Sequence, residues 1–356
     1  MTLSSLHILG SPGLGGAERF FIRLVNALAA RHEKTAVVVR PKSPVPRFLH
    51  PSVSVHYVAM RNGWDLFSAL KLRALIGRSA YHVVQTYMGR ATRLTRMPRS
   101  SSAVHIARLG GYYKITGYYT HAHAWVGNTK GICDYLVRQG LPSHRVFHIP
   151  NFVPLPTPLP AEDLAQLRLQ WHIPKEAQIV FSLGRFVAKK GFDDLLSAFS
   201  VLCQNHSAQP TVLVVAGDGP EKEALQKHSD VLGLGARVRW IGWHDEPSPF
   251  FQMSDVFVCP SRHEPLGNVI LEAWSHGVPV VSTRTVGAVE LITENHNGLL
   301  APVADPPALA QALLQVLKDP VLQEDLGKNG QRTVQELYCQ ERVVGQYQEL
   351  YERLVR

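Results

Sequence analysis

Short runs of apolar, mostly β-branched residues recur along the whole chain, and each is followed by a turn and then by apolar positions at helical spacing. LHIL, TAVVVR, SVHYVA, YHVVQT, AWVGN and RVFHI mark strands in the first half. IVFSLG, TVLVVAG, RVRWIG, VFVCPS and VPVVST mark them in the second. Between them LFSALKLRALIGRSA keeps its apolar positions at helical spacing with the charges lying between, and FDDLLSAFSVLCQN reads as a further helix. Strand, loop and helix recurring at this spacing imply βαβ units and parallel sheets, hence an α/β chain of two doubly wound domains. Ligands in that architecture bind at the carboxyl ends of the strands, and two such edges facing each other would form a cleft. The stretch PNFVPLPTPLP, residues 150–160, continues neither a helix nor a central strand and reads as an interdomain linker.

Length and composition agree with two cores. A chain of 356 residues exceeds the usual single-core size, and 45% of it is apolar. No apolar run approaches the ~20 residues that span a bilayer, and the N-terminus lacks the basic and apolar regions of a signal peptide, so neither secretion nor membrane spanning is expected. Cys133, Cys203, Cys259 and Cys339 are far apart with no C-x-x-C pair, which points to reduced thiols and away from a cysteine zinc site. The net charge of +9 divides unevenly. Residues 1–155 hold 20 Lys and Arg against 4 Asp and Glu, whereas residues 156–356 hold 17 against 24. The first half therefore suits an anionic partner. No nucleic-acid partner is expected, because no recognised module is present and the acidic second half would repel a phosphate backbone.

The loops after the strands carry the candidate chemistry. GSPGLGGAERFF places Gly13, Gly15 and Gly16 before a helix starting near Ala17, which reads equally as a tight turn or as a phosphate site at a helix N-terminus. GRFVAKKG sets Arg185 and Lys190 around a short turn, two cations suited to a diphosphate, with Lys189 as a solvated neighbour. The loop PSRHEPL leads into a helix that starts near Gly267 and runs to Gly277. It puts Glu264 in the loop and leaves the amides of Gly267, Asn268 and Val269 open to an anion, with Glu272 further along the helix. Neither glutamate has a basic partner nearby in sequence. Carboxylates beside phosphate-seeking cations suit a nucleotide sugar, whose hydroxyls donate to the former while its diphosphate meets the latter.

Taken together, GLGGAE, GRFVAKKG, GDGPE, EPLGNVILEAWSHGVPVVST, VGAVELI and NGLL resemble the retaining, GT-B-fold glycosyltransferases of family 4, the group with the E-x7-E motif. The resemblance covers nearly the whole chain. It implies a GT-B architecture, two facing Rossmann-like domains with a cleft between them: an acceptor-side domain over 1–155, a nucleotide-sugar domain over 156–335, and a C-terminal helix within 336–356 that packs back on the first. It also implies a hexosyltransferase with a nucleotide-diphosphate sugar donor, UDP-linked, and no metal or other cofactor. Carried over by position, Gly15 and Gly16 lie near the donor diphosphate. Arg185 and Lys190 hold the phosphates and stabilise the leaving group, Glu264 contacts the transferred sugar, and the amides of Gly267, Asn268 and Val269 add donor contacts. Glu272 binds the ribose, and Trp243 either neighbours the base or simply packs. The family's reaction keeps the anomeric configuration.

The chain departs from many relatives where they place an acceptor-side His. It reads HIARLGGYY, with Arg108 or Leu109 near that place, so no acceptor-side base is assigned and His105, His121 and His123 are read as structural. The run RLGGYYKITGYY with the basic first half favours an anionic, membrane-held glycan or glycolipid acceptor. HVVQTYMGRATRL adds a resemblance to lipopolysaccharide core glycosyltransferases. The expected location is the cytoplasm, peripheral at the inner face of the cytoplasmic membrane. Two rival readings are a UDP-sugar 2-epimerase of the same fold and a non-catalytic protein that binds an anionic ligand.

Overall fold

The structure, a computed structural model, describes residues 3–206 and 208–355. Two compact units divide the chain, one of Met1–Phe152 with Gln340–Arg356 and one of Val153–Cys339.

In the first unit seven strands pair in parallel: β1 (Ser4–Leu9), β2 (Lys34–Val39), β3 (Ser54–Tyr57), β4 (Val83–Tyr87), β5 (Val104–Leu109), β6 (Ala124–Gly127) and β7 (Val146–His148). Their order is β3-β2-β1-β4-β5-β6-β7, which reverses direction between β1 and β4 as doubly wound sheets do. Both faces are covered, so the strands read as continuous apolar runs. The period of two still sorts their side chains. Val37 and Val39 join the cluster built on α1 (Gly16–Ala30), whereas Leu6, Ile8, Ala36 and Val38 join the one built on α2 (Leu66–Arg78) and α3 (Met88–Leu94). α4 (Lys130–Arg138) buries Ile132 and Leu136 against Leu109 and Trp125. β5 is absent from the apolar runs that mark strands because VHIARL is interrupted by His105 and Arg108. Both are buried, so a core strand is written there with polar letters.

The second unit holds a six-stranded parallel sheet of order β10-β9-β8-β11-β12-β13. Its strands are β8 (Gln178–Leu183), β9 (Thr211–Ala216), β10 (Val238–Gly242), β11 (Val256–Cys259), β12 (Val280–Thr283) and the short β13 (Leu299–Ala301). Around it lie α5 (Ala161–Gln170), α6 (Phe192–Asn205), α7 (Lys222–Val231), α8 (Ser248–Gln252), α9 (Asn268–Ser275), α10 (Val286–Leu291), α11 (Pro306–Lys318) and α12 (Pro320–Leu337). α6 and α11 cover one face with Val180, Leu213 and Val215, and α8 and α9 cover the other with Phe181, Val212 and Val214. A last helix, α13 (Gln340–Val355), belongs to the first unit and buries Val343, Val344, Tyr347, Leu350 and Tyr351 beside Phe20 and Leu24 of α1.

Side-chain capping varies among the helices, and α3, α5, α7 and α8 are without it. Asp65, Thr129, Thr285, Asp305 and Asp319 cap α2, α4, α10, α11 and α12 with side-chain oxygens. The helices that begin at the three motif loops, α1, α6 and α9, instead start after Gly15, Gly191 and Gly267 with no capping side chain. The loops that the sequence marks for a ligand thus spend none of their side chains on their own helix.

Candidate active site

The loop after β8 is held from below by an aromatic anchor. Phe186 is buried, with its ring edge-on to Phe192 at 5.0 Å and to Trp240 at 5.8 Å. Its backbone N–H donates to the carbonyl of Asp218 at 2.9 Å, and its carbonyl accepts from Glu221 at 3.2 Å, so the GDGPE loop braces GRFVAKKG. Arg185, next to that anchor, is exposed, and its guanidinium makes no hydrogen bond or ion pair among the described residues. The chain then turns through Ala188–Lys190 into Gly191, whose φ is +63°. A Cβ at Gly191 would lie 2.2 Å from the carbonyl oxygen of Pro260, so glycine is what lets this loop touch the one after β11.

Two further ties knit those loops together. The carbonyl of Lys189 accepts the N–H groups of Arg262 at 2.9 Å and His263 at 3.1 Å. The Arg262 guanidinium donates to Asp193 at 2.6 Å, to Asp194 at 2.8 Å and to the carbonyl of Ala188 at 3.1 Å. Across this seam the Lys190 ammonium pairs with the Glu264 carboxylate. Burial by itself would lower the Lys190 pKa; the Glu264 charge and hydrogen bond outweigh it and hold the ammonium above its ordinary value. The partner that the local sequence around Glu264 lacks is therefore supplied 74 residues away.

Glu264 is fixed from its other side as well. Its carbonyl accepts the N–H of Gly287 at 2.9 Å, and a Cβ at Gly287 would meet the Leu266 backbone at 2.6 Å. The first turn of α10 therefore lies against the loop because residue 287 has no side chain. Asn268 and Val269 open α9, half-buried, after Gly267 at φ +89°. α9 is anchored by the fully buried Trp274, whose indole N–H donates to the carbonyl of Asn297 at 2.8 Å. Glu272 lies half-buried on the same helix. Its carbonyl accepts from Ser275 at 2.8 Å and from His276 Nδ1 at 2.7 Å. Arg185, Lys190, Glu264, Gly267, Asn268, Val269 and Glu272 thus all follow β8 or β11 in the second unit, and among them Lys190 and Glu264 are in direct contact. Gly15 and Gly16 belong to the first unit, where Gly15 precedes α1.

A family model for "Glycosyl transferases group 1" matches residues 165–333, and one for "Glycosyltransferase Family 4" matches residues 14–156. A lipopolysaccharide core biosynthesis glycosyltransferase of Rhizobium meliloti (strain 1021), LpsE, is 36% identical over 339 residues, 94% of this chain and 95% of that protein. The chain belongs to glycosyltransferase family 4. The fold of this glycosyltransferase is shared with a solved glycosyltransferase from Rickettsia africae at a TM-score of 0.89 and 18% identity, over 100% of this chain and 99% of that one. It is shared also with Anabaena Alr3699/HepE, solved with UDP and glucose, at a TM-score of 0.84 and 19% identity, over 99% and 100%. The two Rossmann-like sheets are those of the GT-B class.

Sequence reading of this glycosyltransferase missed Arg262, Gly191 and Gly287 as the parts that place the motif residues. Each lies inside a motif that carries the resemblance or beside one, but its contact is with a segment remote in sequence. In the first unit, Arg108 is buried rather than presented to a ligand. Its guanidinium lies 4.0 Å from the Phe20 ring centroid, donates to the Tyr347 hydroxyl at 3.3 Å and bonds the side-chain oxygen of Asn151. His105 is fully buried with Nε2 3.0 Å from the Thr86 hydroxyl, and burial first, then its histidine neighbours, holds its pKa well below the ordinary value. Among the described residues no group of three or more His, Cys, Asp or Glu is placed to hold a metal ion.

Proposed function

We propose that this glycosyltransferase moves a hexose from a UDP-linked donor to a hydroxyl of the lipopolysaccharide core, with retention at the anomeric carbon, on the cytoplasmic side of the inner membrane. The observation that carries the reading is the braced Lys190–Glu264 pair, which joins the loops after β8 and β11, with the exposed Arg185 in the first of those loops. The naming of LpsE as a lipopolysaccharide core enzyme supports the acceptor class, and the UDP held by HepE supports the nucleotide.

In this reading Arg185 and Lys190 meet the diphosphate, Glu264 and the amides from Gly267 to Val269 meet the sugar, and Glu272 takes the ribose hydroxyls. The bond between the anomeric carbon and the diphosphate oxygen breaks with its electron pair going to that oxygen. The acceptor hydroxyl oxygen forms the new bond on the same face, and its proton leaves with the departing phosphate. Rate then depends on charges already in place where negative charge develops. The Glu264 carboxylate holds the Lys190 ammonium above its ordinary pKa, and the Arg185 guanidinium offers a planar fork of donors to a phosphate.

The test is transfer from UDP-hexoses to purified core oligosaccharide, read by mass spectrometry, with the new linkage assigned by NMR. Arg185→Ala should lower turnover by about 100-fold or more while leaving the folded state intact. A folded variant with parental turnover would remove Arg185 from the mechanism. Donor consumed without an acceptor product would overturn the transferase reading.

A further inference from the structure

The first unit carries an apolar tip that its core does not use. Trp64, Leu66, Phe67 and Leu70, around the start of α2, are 79%, 67%, 82% and 56% exposed. The opposite face of α2 buries Ser68, Leu72 and Ile76. Around the tip Arg61, Lys71 and Arg73 are exposed, and the Arg93 guanidinium stacks 3.4 Å from the Trp64 ring centroid. The tip is built rather than loose. The Asp65 carboxylate accepts from the N–H of Arg61 at 3.0 Å, the N–H of Ser68 at 3.1 Å and the Ser68 hydroxyl at 2.8 Å, while Asn62 accepts from the N–H of Trp64 at 2.8 Å.

We propose that this tip docks the enzyme on an anionic lipid bilayer, with Trp64, Leu66, Phe67 and Leu70 entering the headgroup layer and Arg61, Lys71 and Arg73 meeting lipid phosphates. The inference rests on the membrane location in the function proposed above and names the surface that makes it. Charge selects the occupant. From residue 34 to residue 133 the chain holds fifteen Lys and Arg, and Asp65 is its one carboxylate, already engaged in capping α2. A second copy meeting this surface would set cation against cation, whereas an anionic interface accepts the cations and the apolar side chains together. The aromatic run after β5 adds less apolar surface: Tyr119 is fully buried and Tyr112 packs edge-on to Tyr135 at 5.4 Å, while Tyr118 borders the tip beneath Arg93 and Tyr113 is 37% exposed.

The experiment uses the full chain with phosphatidylglycerol/phosphatidylethanolamine vesicles and with phosphatidylcholine vesicles at low salt. The variants are Trp64→Ser with Phe67→Ser, Lys71→Glu with Arg73→Glu, and the control Leu169→Ser, whose exposed side chain lies on the other unit. The parent and the control should partition onto the anionic vesicles. The aromatic variant should lose about tenfold or more in partition coefficient, and the charge-reversed variant should lose its preference for anionic lipid. Turnover on soluble core oligosaccharide should be unchanged in all of them. Parental binding by the aromatic variant overturns the proposal, as does a self-association that this variant abolishes while vesicle binding stays. A parent that ignores vesicles yet glycosylates soluble acceptor overturns the docking surface and leaves the transferase reading standing. Tip-dependent vesicle binding without any transfer supports the docking surface and overturns the transferase reading.

Discussion

The Lys190–Glu264 pair should be energetically coupled by an amount that a double-mutant cycle can read. Opposite charges about 4 Å apart attract by about 4 kcal/mol at an effective dielectric of about 20. Desolvation and the ordering of two side chains take back half or more, although Lys190 and Glu264 keep 22% and 15% of their side-chain surface and so escape the full interior penalty. A coupling of about 1–2 kcal/mol remains. Glu264→Gln or Lys190→Met alone should cost about 2–3 kcal/mol, because each strands a mostly buried charge. The double variant should cost less than the sum of the two by the coupling. The assay is equilibrium urea denaturation of the four proteins. pH adds a sign. Lys190 is held above its unfolded pKa, so its contribution is complete below that value and fades as pH rises through the folded one. The parent should therefore lose its margin over Lys190→Met on the alkaline side of about pH 10.4. Single losses that add to within about 0.5 kcal/mol would refute the coupling.

Gly287→Ala should destabilise by about 1–3 kcal/mol and weaken UDP binding, because the new methyl meets Leu266 backbone atoms, which cannot rotate away; a parental melting temperature and a parental Kd by titration calorimetry would contradict this. Arg262→Met should cost only about 1 kcal/mol, since its side chain is 32% exposed, yet it should speed proteolysis in residues 260–267 by unpinning that loop from Asp193 and Asp194. Unchanged cleavage would show that the backbone bonds to Lys189 suffice.

Much of the α/β framework is legible in the sequence because strands buried on both faces must be written as apolar runs. The reading weakens where burial is satisfied by polar residues. β5 carries His105 and Arg108, and each finds its partners on other elements, Thr86 on β4 and Tyr347 on α13. The motif residues of the second unit are legible as candidates because glycine, lysine and glutamate cluster in loops that follow strands. Their arrangement is not. Lys190 and Glu264 read as separate ligand-seeking groups, and their mutual pairing depends on Arg262 and Gly287, whose importance lies in contacts far along the chain. The Tyr-rich run misleads for a related reason: a tyrosine serves a core as readily as a surface, and Tyr119 serves the core. The exposed Trp64 stands just before, and Phe67 within, a stretch recognised as an amphipathic helix, but periodicity alone does not reveal that its outer face carries apolar side chains too.

The chain leaves the first unit at Phe152 and comes back to it at Gln340, and this fixes an order of events during synthesis. The groove on α1 that receives Tyr347 and Tyr351 has to wait while about 190 residues of the other unit are made, on the order of 10–40 s at ribosomal speed. Phe20 and Leu24 lack their partners on the last helix for that time, and the Arg108 guanidinium lacks one of its own. The second unit has its whole sheet and can mature in the interval. A ribosome that stalls within the last helix would therefore release a chain whose second unit is formed and whose first unit is sticky, a natural client for chaperones and proteases.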